Sequence, residues 1–179
     1  MSLLYVTGQP GTGKSAVRSE LRARGYHARG VDEDGYASWV NRTAGTIDDF
    51  PNDDPDLDFH AWYRAHEWIL SAERIETLSR EAAAMGQPVF LCGIAAGEDT
   101  VWHLFDKVLA LVADVPTLTE RIGARGNKFG QAPEELAAIL RWHVGYEARY
   151  RRFGAVIIDA ERPLGSVIDD ILVSVPEPS

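Results

Sequence analysis

Hydrophobic residues along this chain alternate between short apolar runs and longer stretches with helical periodicity. Four runs predict buried β-strands, because their apolar residues are nearly continuous and end at glycine or polar residues, and a fifth, less apolar segment before the acidic residues 32–34 is a candidate short strand. These runs are residues 3–7, 27–31, 89–92, 108–112 and 155–158. The strands therefore occur throughout the chain rather than in one block.

The segments between these runs carry apolar residues three and four positions apart, which is typical of helices that bury one face. We predict helices at 15–24, 36–41, 60–85, 99–105, 116–124, 133–153 and 164–173. Alternating strands and helices require crossover connections, which favour a parallel sheet with helices on both faces. The pattern predicts one α/β domain over residues 1–179, a three-layer sandwich around a five-stranded parallel sheet.

Composition narrows the class of protein. The chain has 179 residues, 45% of them hydrophobic, which suits one globular domain and is too apolar for a disordered chain. No apolar run approaches the roughly 20 residues of a membrane-spanning helix, and the first residues lack a secretory pattern. A single cysteine, Cys92, excludes an internal disulfide. We expect a cytoplasmic protein without membrane contact, either a monomer or a homodimer.

The charge balance bears on partners. Acidic residues outnumber basic ones by 27 to 18, for a net charge of −9, and no cluster of Lys and Arg forms a stripe. Nucleic-acid affinity comes mostly from such cationic surface, so we expect no nucleic-acid partner.

Residues 8–15, Gly-Gln-Pro-Gly-Thr-Gly-Lys-Ser, match the pattern G-x-x-x-x-G-K-[ST] in full. Glycines allow consecutive backbone N–H groups to turn towards an anion, and the helix that follows points its positive end at the same place. Lys14 is placed to reach the β- and γ-phosphates, and the Ser15 hydroxyl to bind Mg²⁺. The motif predicts binding of a nucleoside triphosphate, ATP with Mg²⁺. The predicted binding residues are Gly8, Gly11, Thr12, Gly13, Lys14 and Ser15.

With this motif and this order of elements, the chain resembles the small P-loop kinases, which include adenylate kinase, shikimate kinase and gluconate kinase. The resemblance implies an ATP-dependent phosphotransferase acting on a hydroxyl of a small molecule, such as a nucleoside, nucleotide, sugar acid or shikimate-like polyol. It also implies an acceptor-binding region at about residues 34–85 and a short lid at about 123–132 that closes over ATP.

Two aspartates follow the second predicted strand in the run Val-Asp-Glu-Asp at 31–34. In shikimate-kinase-like proteins a D-x-D at this place serves Mg²⁺ and the acceptor hydroxyl, so the resemblance assigns Asp32 to the metal. It assigns Asp34 to the acceptor, as the base that takes the hydroxyl proton. Both follow the carboxyl end of a strand, where α/β proteins bind ligands. The alternative is that Asp34 caps the helix predicted at 36–41.

Two arginines four residues apart share one face of the helix predicted at 116–124 and its extension. The resemblance implies that Arg121 stacks on adenine and that Arg125 contacts phosphates and neutralises the charge of the transferring group. It implies too that Asp159 and Ala160 lie in the loop that holds the adenine edge. The alternatives are two solvated arginines and an ordinary strand-to-helix turn. Arg141 is a second candidate for contacting the γ-phosphate.

The chain also departs from the family pattern. No acid ends the strand predicted at 89–92, where a Walker B aspartate is usual, and Gly93 is followed by Ile-Ala-Ala rather than by further glycines. Residues 46–58 are acidic and contain no arginine, whereas a phosphate on the acceptor would favour arginines. An uncharged polyol or nucleoside is therefore slightly preferred. The candidate acceptor contacts are Asp34, Gly93, Arg42 and Arg64.

A second function stays open from the sequence. The chain could be a regulatory module that binds and hydrolyses ATP without a small-molecule acceptor, since no pair of acceptor-anchoring arginines is evident. Four tryptophans are interpreted as packing groups in helices: Trp62, Trp68, Trp102 and Trp142.

Overall fold

A central parallel sheet and a smaller antiparallel one organise the chain. The computed structural model describes residues 2–51, 56–124, 126 and 130–176, with the backbone alone at 59 and 60. The strands are β1 (Leu3–Gly8), β2 (His27–Gly30), β3 (Ala37–Asn41), β4 (His66–Leu70), β5 (Val89–Cys92), β6 (Lys107–Val112) and β7 (Val156–Asp159). The helices are α1 (Lys14–Ala23), α2 (Phe59–Ala65), α3 (Ala72–Met85), α4 (Val115–Ala124), α5 (Pro133–His143), α6 (Tyr146–Arg152) and α7 (Leu164–Val173).

The central sheet has the strand order β2-β5-β1-β6-β7, and every neighbouring pair is parallel. Leu4 and Val6 of β1 point to the face covered by α1 and α7. Leu3 and Tyr5 point to the other face, where α3 and the segment around Phe105 pack. The Tyr5 and Phe105 rings stack with their centroids 4.9 Å apart. The structure confirms the predicted three-layer sandwich with a five-stranded parallel sheet.

The prediction of a helix at 36–41 and of one long helix at 60–85 was wrong. Residues 37–41 form β3, and the long segment divides into α2, β4 and α3. β3 and β4 pair as an antiparallel sheet that sets Trp39 opposite Trp68, and large aromatic residues favour such pairing. Ser71 ends β4 and caps α3, because its hydroxyl accepts a hydrogen bond from Arg74 N at 3.4 Å. Pairing with a distant strand therefore overrides helical periodicity.

The helix predicted at 133–153 is also divided. It begins at Pro133 as expected, but α5 ends at His143, and Gly145 takes a φ of 75° before α6 starts. The break turns Tyr146 and Tyr150 of α6 onto Ala110 of β6. The helix predicted at 99–105 consists of two short 3₁₀ turns, Glu98–Thr100 and Trp102–Leu104. Among the described residues, no helix has both the length and the apolar character to cross a bilayer.

Candidate functional site

The loop between β1 and α1 has the backbone of an anion-binding nest. Gly11 and Gly13 both have a φ of 93°, a region that side-chain-bearing residues rarely adopt. Gly13 precedes α1 in a left-handed conformation, and no side chain caps the helix there. The N–H groups of the first turn of α1 therefore face the loop without a capping side chain, which suits binding of a phosphate.

The same loop is tightly packed from below. A Cβ on Gly8 would lie 2.5 Å from Thr12 Oγ1 and 2.9 Å from the Leu111 carbonyl oxygen. Thr12 is 3% exposed, and its hydroxyl donates a hydrogen bond of 2.8 Å to the Gln9 carbonyl. This close packing restricts the conformations open to the loop.

Lys14 lies across this loop. Its ammonium donates hydrogen bonds to the carbonyl oxygens of Gly8, at 2.6 Å, and Gln9, at 3.0 Å. It also stabilises the charged forms of Asp32 and Glu98 electrostatically. Ser15, one residue further on, is exposed to solvent at the start of α1. The cation and the hydroxyl that the motif predicts thus stand side by side at the helix N-terminus.

Asp32 faces the small antiparallel sheet. Its Oδ1 accepts a hydrogen bond of 2.9 Å from the Trp68 indole N–H, and the Trp68 ring lies against Trp39 at 5.2 Å between centroids. Asp32 is exposed as a whole residue. Desolvation by the surrounding loops raises its pKa, and the Trp68 hydrogen bond and the Lys14 charge oppose this rise. Asp32 therefore links the β3–β4 sheet to the P-loop, through its hydrogen bond with Trp68 and its attraction to Lys14.

The Asp34 carboxylate points towards α1 and the end of β2. Its Oδ2 accepts hydrogen bonds from the Gly30 amide at 2.7 Å and from Arg22 of α1 at 3.0 Å. Glu33 likewise pairs with Arg18 of α1 at 2.6 Å. The alternative that Asp34 caps a helix at 36–41 was wrong, because that segment is a strand; Asp34 closes the turn after β2. Its predicted role as the base stays a prediction.

The three other predicted acceptor residues have different surroundings. Gly93 packs beneath the turn after β2, where a Cβ would come within 2.3 Å of the Val31 side chain. Arg42 forms an ion pair with Glu67 of β4. Arg64 is exposed on α2. The Arg42 amide donates to the Ala65 carbonyl, next to Arg64, at 2.8 Å, so the two residues are neighbours, but the Arg42 guanidinium is engaged by Glu67.

The predicted adenine-side residues do come together. The Arg121 guanidinium of α4 donates a hydrogen bond of 2.9 Å to the Ala160 carbonyl. The Ala160 amide donates to the Val112 carbonyl at 2.8 Å, and Asp159 accepts from the Glu161 amide at 2.9 Å. Arg121 is thus held beside the β7–α7 loop by a contact with its backbone.

The lid was predicted at 123–132. Within it, Arg125 and residues 127–129 lie outside the described residues. At its end, the Gly130 amide donates to Glu135 Oε2 of α5 at 2.8 Å. Arg141, the second candidate for a phosphate contact, is exposed on α5.

Glu98 was missed by the sequence analysis. It is 3% exposed, and its Oε2 accepts hydrogen bonds from the Tyr5 hydroxyl at 2.6 Å and the Thr7 hydroxyl at 3.0 Å. Burial raises its pKa to about 7. Nothing in the local sequence distinguishes Glu98 from a solvated acid, because only the folded chain places it under β1.

The interpretation of the tryptophans as helical packing groups was wrong for Trp68, which lies in β4 and binds Asp32. Together with Trp39 and Tyr63 it forms an aromatic wall; the Trp39 and Tyr63 rings are 5.3 Å apart. Burial raises the pKa of Tyr63, and the negative charges of Glu135 and Asp32 add to this rise. The hydrogen bond from Trp68 places the wall beside Asp32. The alternation His66, Trp68, Leu70 was the available signal for a strand.

Comparison with known proteins establishes the fold. The sequence matches no protein-family model and no curated protein. The structure superposes on a Thermus thermophilus protein designated TT1252 with a TM-score of 0.59 and 19% identity, covering 98% of both chains. For shikimate kinase from Acinetobacter baumannii, in complex with shikimate, the TM-score is 0.57 at 16% identity, over 96% of this chain and 91% of that one. For deoxyadenosine kinase from M. mycoides with bound dATP, the TM-score is 0.53 at 16% identity, over 97% of this chain and 98% of that one. The chain shares the fold of the small P-loop kinases.

Proposed function

We propose that this protein is an ATP-dependent kinase that phosphorylates a hydroxyl group of a small molecule. The observation that carries the proposal is the hydrogen bond between Trp68 and Asp32. It joins the aromatic wall of the β3–β4 sheet to a carboxylate within electrostatic reach of Lys14. An acceptor held on that wall would lie beside the nucleotide phosphates, an arrangement that ATP hydrolysis alone would not require.

The nucleotide would bind across the carboxyl edge of the sheet. The uncapped first turn of α1 and the Lys14 ammonium would hold the β- and γ-phosphates. Arg121 and the backbone around Ala160 would hold the adenine, since their contact places a planar guanidinium beside the β7–α7 loop. Arg125 and Arg141 remain predicted contacts for the transferring phosphoryl group.

The residues present fit Mg²⁺. Ser15 offers a hydroxyl and Asp32 a carboxylate, and oxygen ligands are the ones that Mg²⁺ prefers. When bound there, the ion would neutralise negative charge on the β- and γ-phosphate oxygens.

We propose Asp32, rather than Asp34, as the carboxylate that faces the reacting groups. Both contacts of Asp34 run to the turn after β2 and to α1, and they use the same oxygen. Asp32 instead faces the aromatic wall, where its Oδ1 accepts from the Trp68 indole, so it would orient the acceptor hydroxyl and receive its proton as the hydroxyl oxygen bonds to phosphorus. The hydroxyl oxygen would then attack the γ-phosphorus as the bond to the β-phosphate breaks, and ADP would leave.

An uncharged acceptor suits this site. Arg42 is engaged by Glu67, and the Arg74 guanidinium donates to the Gly35 carbonyl. Both guanidinium groups therefore already have partners, whereas an anionic group on an acceptor at the wall would need an arginine to bind it. Of the structural neighbours, one was solved with shikimate and one with dATP, so hydroxylated rings are the first acceptors to test.

The test is a panel of nucleosides, sugars, polyols and shikimate with ATP and Mg²⁺, in which ADP and the phosphorylated product are both measured. One class of acceptor should stimulate ADP release and gain one phosphoryl group by mass spectrometry. The Asp32→Asn variant should lose at least about a hundredfold in kcat. The matched Asp34→Asn variant should keep kcat and lose stability.

ADP release that no acceptor stimulates would overturn the kinase proposal and favour the hydrolytic module. Loss of kcat in Asp34→Asn with retention in Asp32→Asn would reverse the assignment of the two carboxylates.

A further inference from the structure

Two arginines of α1 hold the turn that carries Asp32, residues 31–34. Arg18 and Arg22 are four positions apart on α1 and therefore share one face of the helix. Each of them contacts an acidic side chain of the turn. Ser15 lies in the first turn of the same helix, so the two contacts connect the end of the P-loop to the turn after β2.

Arg22 anchors the far end of the turn. Its Nε donates a hydrogen bond of 2.6 Å to the Ala28 carbonyl of β2, and its Nη2 donates one of 3.0 Å to Asp34 Oδ2. The Gly30 amide donates to the same oxygen at 2.7 Å. The Asp34→Asn variant keeps an oxygen that can accept both bonds, so this end of the turn does not depend on the charge of Asp34.

The ion pair between Arg18 and Glu33 holds the middle of the turn. Arg18 Nη1 lies 2.6 Å from Glu33 Oε2, and the Arg18 side chain is only 14% exposed. Among the described residues Nη1 has no aligned hydrogen-bond partner, so charge holds the pair, at a partly buried place where screening by salt is reduced. Glu33 is next to Asp32 in the chain, and the pair therefore restrains the backbone that carries the Asp32 carboxylate.

Gly30 leaves the room that this ion pair occupies. A Cβ added to Gly30 would lie 2.0 Å from Glu33 Oε2 and 2.1 Å from Arg18 Nη1. Both atoms are the ends of flexible side chains, and Gly30 is not among the glycines with a positive φ. Alanine therefore suits the backbone at this position but displaces the ion pair, and it does so without removing either charge.

We propose that Arg18 is a positioning residue for Asp32, because its ion pair with Glu33 fixes the turn after β2 against the helix that begins at the P-loop. The pair thereby sets where the Asp32 carboxylate lies relative to Ser15 and to the Trp68 indole that binds it. The proposal rests on the role of Asp32 in the proposed function, but the place of Asp32 can be measured without any activity. When the pair is lost, Asp32 moves away from Trp68 and from the reacting groups.

The first test follows the indole N–H of Trp68 by heteronuclear NMR of isotope-labelled protein. A hydrogen bond to a carboxylate shifts an N–H proton downfield, and the Trp68→Phe variant assigns the resonance by removing it. In Arg18→Gln the Trp68 resonance should move upfield, because Asp32 is no longer held in place. Gly30→Ala should move it in the same direction.

The matched control is Arg24→Gln. It removes an ion pair of 2.8 Å between the end of α1 and Asp169 of α7, which has no contact with the turn after β2. The Trp68 resonance should therefore stay where it is in the wild type.

Steady-state kinetics with the acceptor that the panel identifies gives the second readout. Arg18→Gln and Gly30→Ala should lower kcat by about ten- to a hundredfold, because misplacing a reacting group by about 1 Å is enough for such a loss. The KM for ATP should stay unchanged in both variants. Arg24→Gln should keep the wild-type kcat.

Gly30→Ala keeps the proposal testable if Arg18→Gln fails to fold, since it retains both charges. A purely structural role of Arg18 would lower stability and leave the Trp68 resonance in place. An unmoved resonance in either folded variant, the same shift in Arg24→Gln, or an unchanged kcat despite a moved resonance would overturn the proposal. If no acceptor stimulates ADP release by the wild type, the proposed function fails, and the Trp68 resonance still decides whether Arg18 positions Asp32.

Discussion

Gly93 stands where the end of β5 meets the turn that carries Asp32. A Cβ added there would lie 2.3 Å from both Cβ and Cγ2 of Val31. Carbon atoms in contact are normally about 3.5–4.0 Å apart, so Gly93→Ala requires the two backbones to separate by more than about 1 Å. Neither side moves easily, because Val31 N donates to the Cys92 carbonyl at 2.9 Å and Gly93 N to the Val6 carbonyl at 3.0 Å.

The expected cost follows from these contacts. Overpacking a tight core costs about 1–3 kcal/mol, and a separation of that size also breaks the Val31 hydrogen bond, worth about 1 kcal/mol. We therefore expect Gly93→Ala to lose about 2–4 kcal/mol of unfolding free energy. For a chain of this length that corresponds to a fall in Tm of about 4–16 °C.

Chemical denaturation and calorimetry of the two proteins measure this loss. Gly123→Ala is the matched control: its added Cβ meets nothing within 4 Å, and it lies inside α4, so it should stabilise by about 0.5–1 kcal/mol. If Gly93→Ala melts within about 1 °C of the wild type, the close approach of Gly93 and Val31 is not a constraint on the fold, and the reasoning fails.

Three further changes test the site. Burial raises the pKa of Glu98 from 4.5 to about 7, so the folded protein binds more protons than the unfolded chain in that window. Stability should therefore fall by about 3 kcal/mol as pH rises through it. Urea unfolding at pH 5 and pH 8 measures this fall, and a slope unchanged in Glu98→Gln would contradict it. Trp68→Phe keeps an aromatic side chain but removes the indole N–H that binds Asp32. Steady-state kinetics should therefore show a raised KM for the acceptor and an unchanged KM for ATP. A raised KM for ATP alone would contradict the placement of the acceptor. Arg121→Ala removes the contact with the Ala160 carbonyl, and calorimetry should show about tenfold weaker ATP binding, whereas equal affinity would remove Arg121 from the adenine site.

The P-loop and the five central strands were predictable because their signals are local. A continuous apolar run such as residues 3–7 can only be buried, and Gly11 and Gly13 satisfy a backbone requirement that other residues meet at a cost. Pro133 likewise marks the start of α5. These features depend on neighbours within a few positions, so reading them needs no knowledge of the rest of the chain.

The errors share a different cause. Residues 66–70 show helical spacing and strand-like alternation together, and their pairing with β3 decided between the two. The helix predicted over 133–153 failed at Gly145, where a turn lets Tyr146 reach β6. In both places the energy of packing against a remote element exceeds the small differences in local propensity.

Local chemistry alone thus predicted an α/β scaffold and a glycine-rich loop with the backbone of an anion-binding nest, because backbone angles and apolar periodicity are properties of short segments. Three-dimensional packing decided what each acidic side chain contacts. It turned Asp32 towards Trp68, tied Asp34 to Arg22, and removed Glu98 from water beneath Thr7. Desolvation and pairing depend on groups far apart along the chain, and no short segment carries that information.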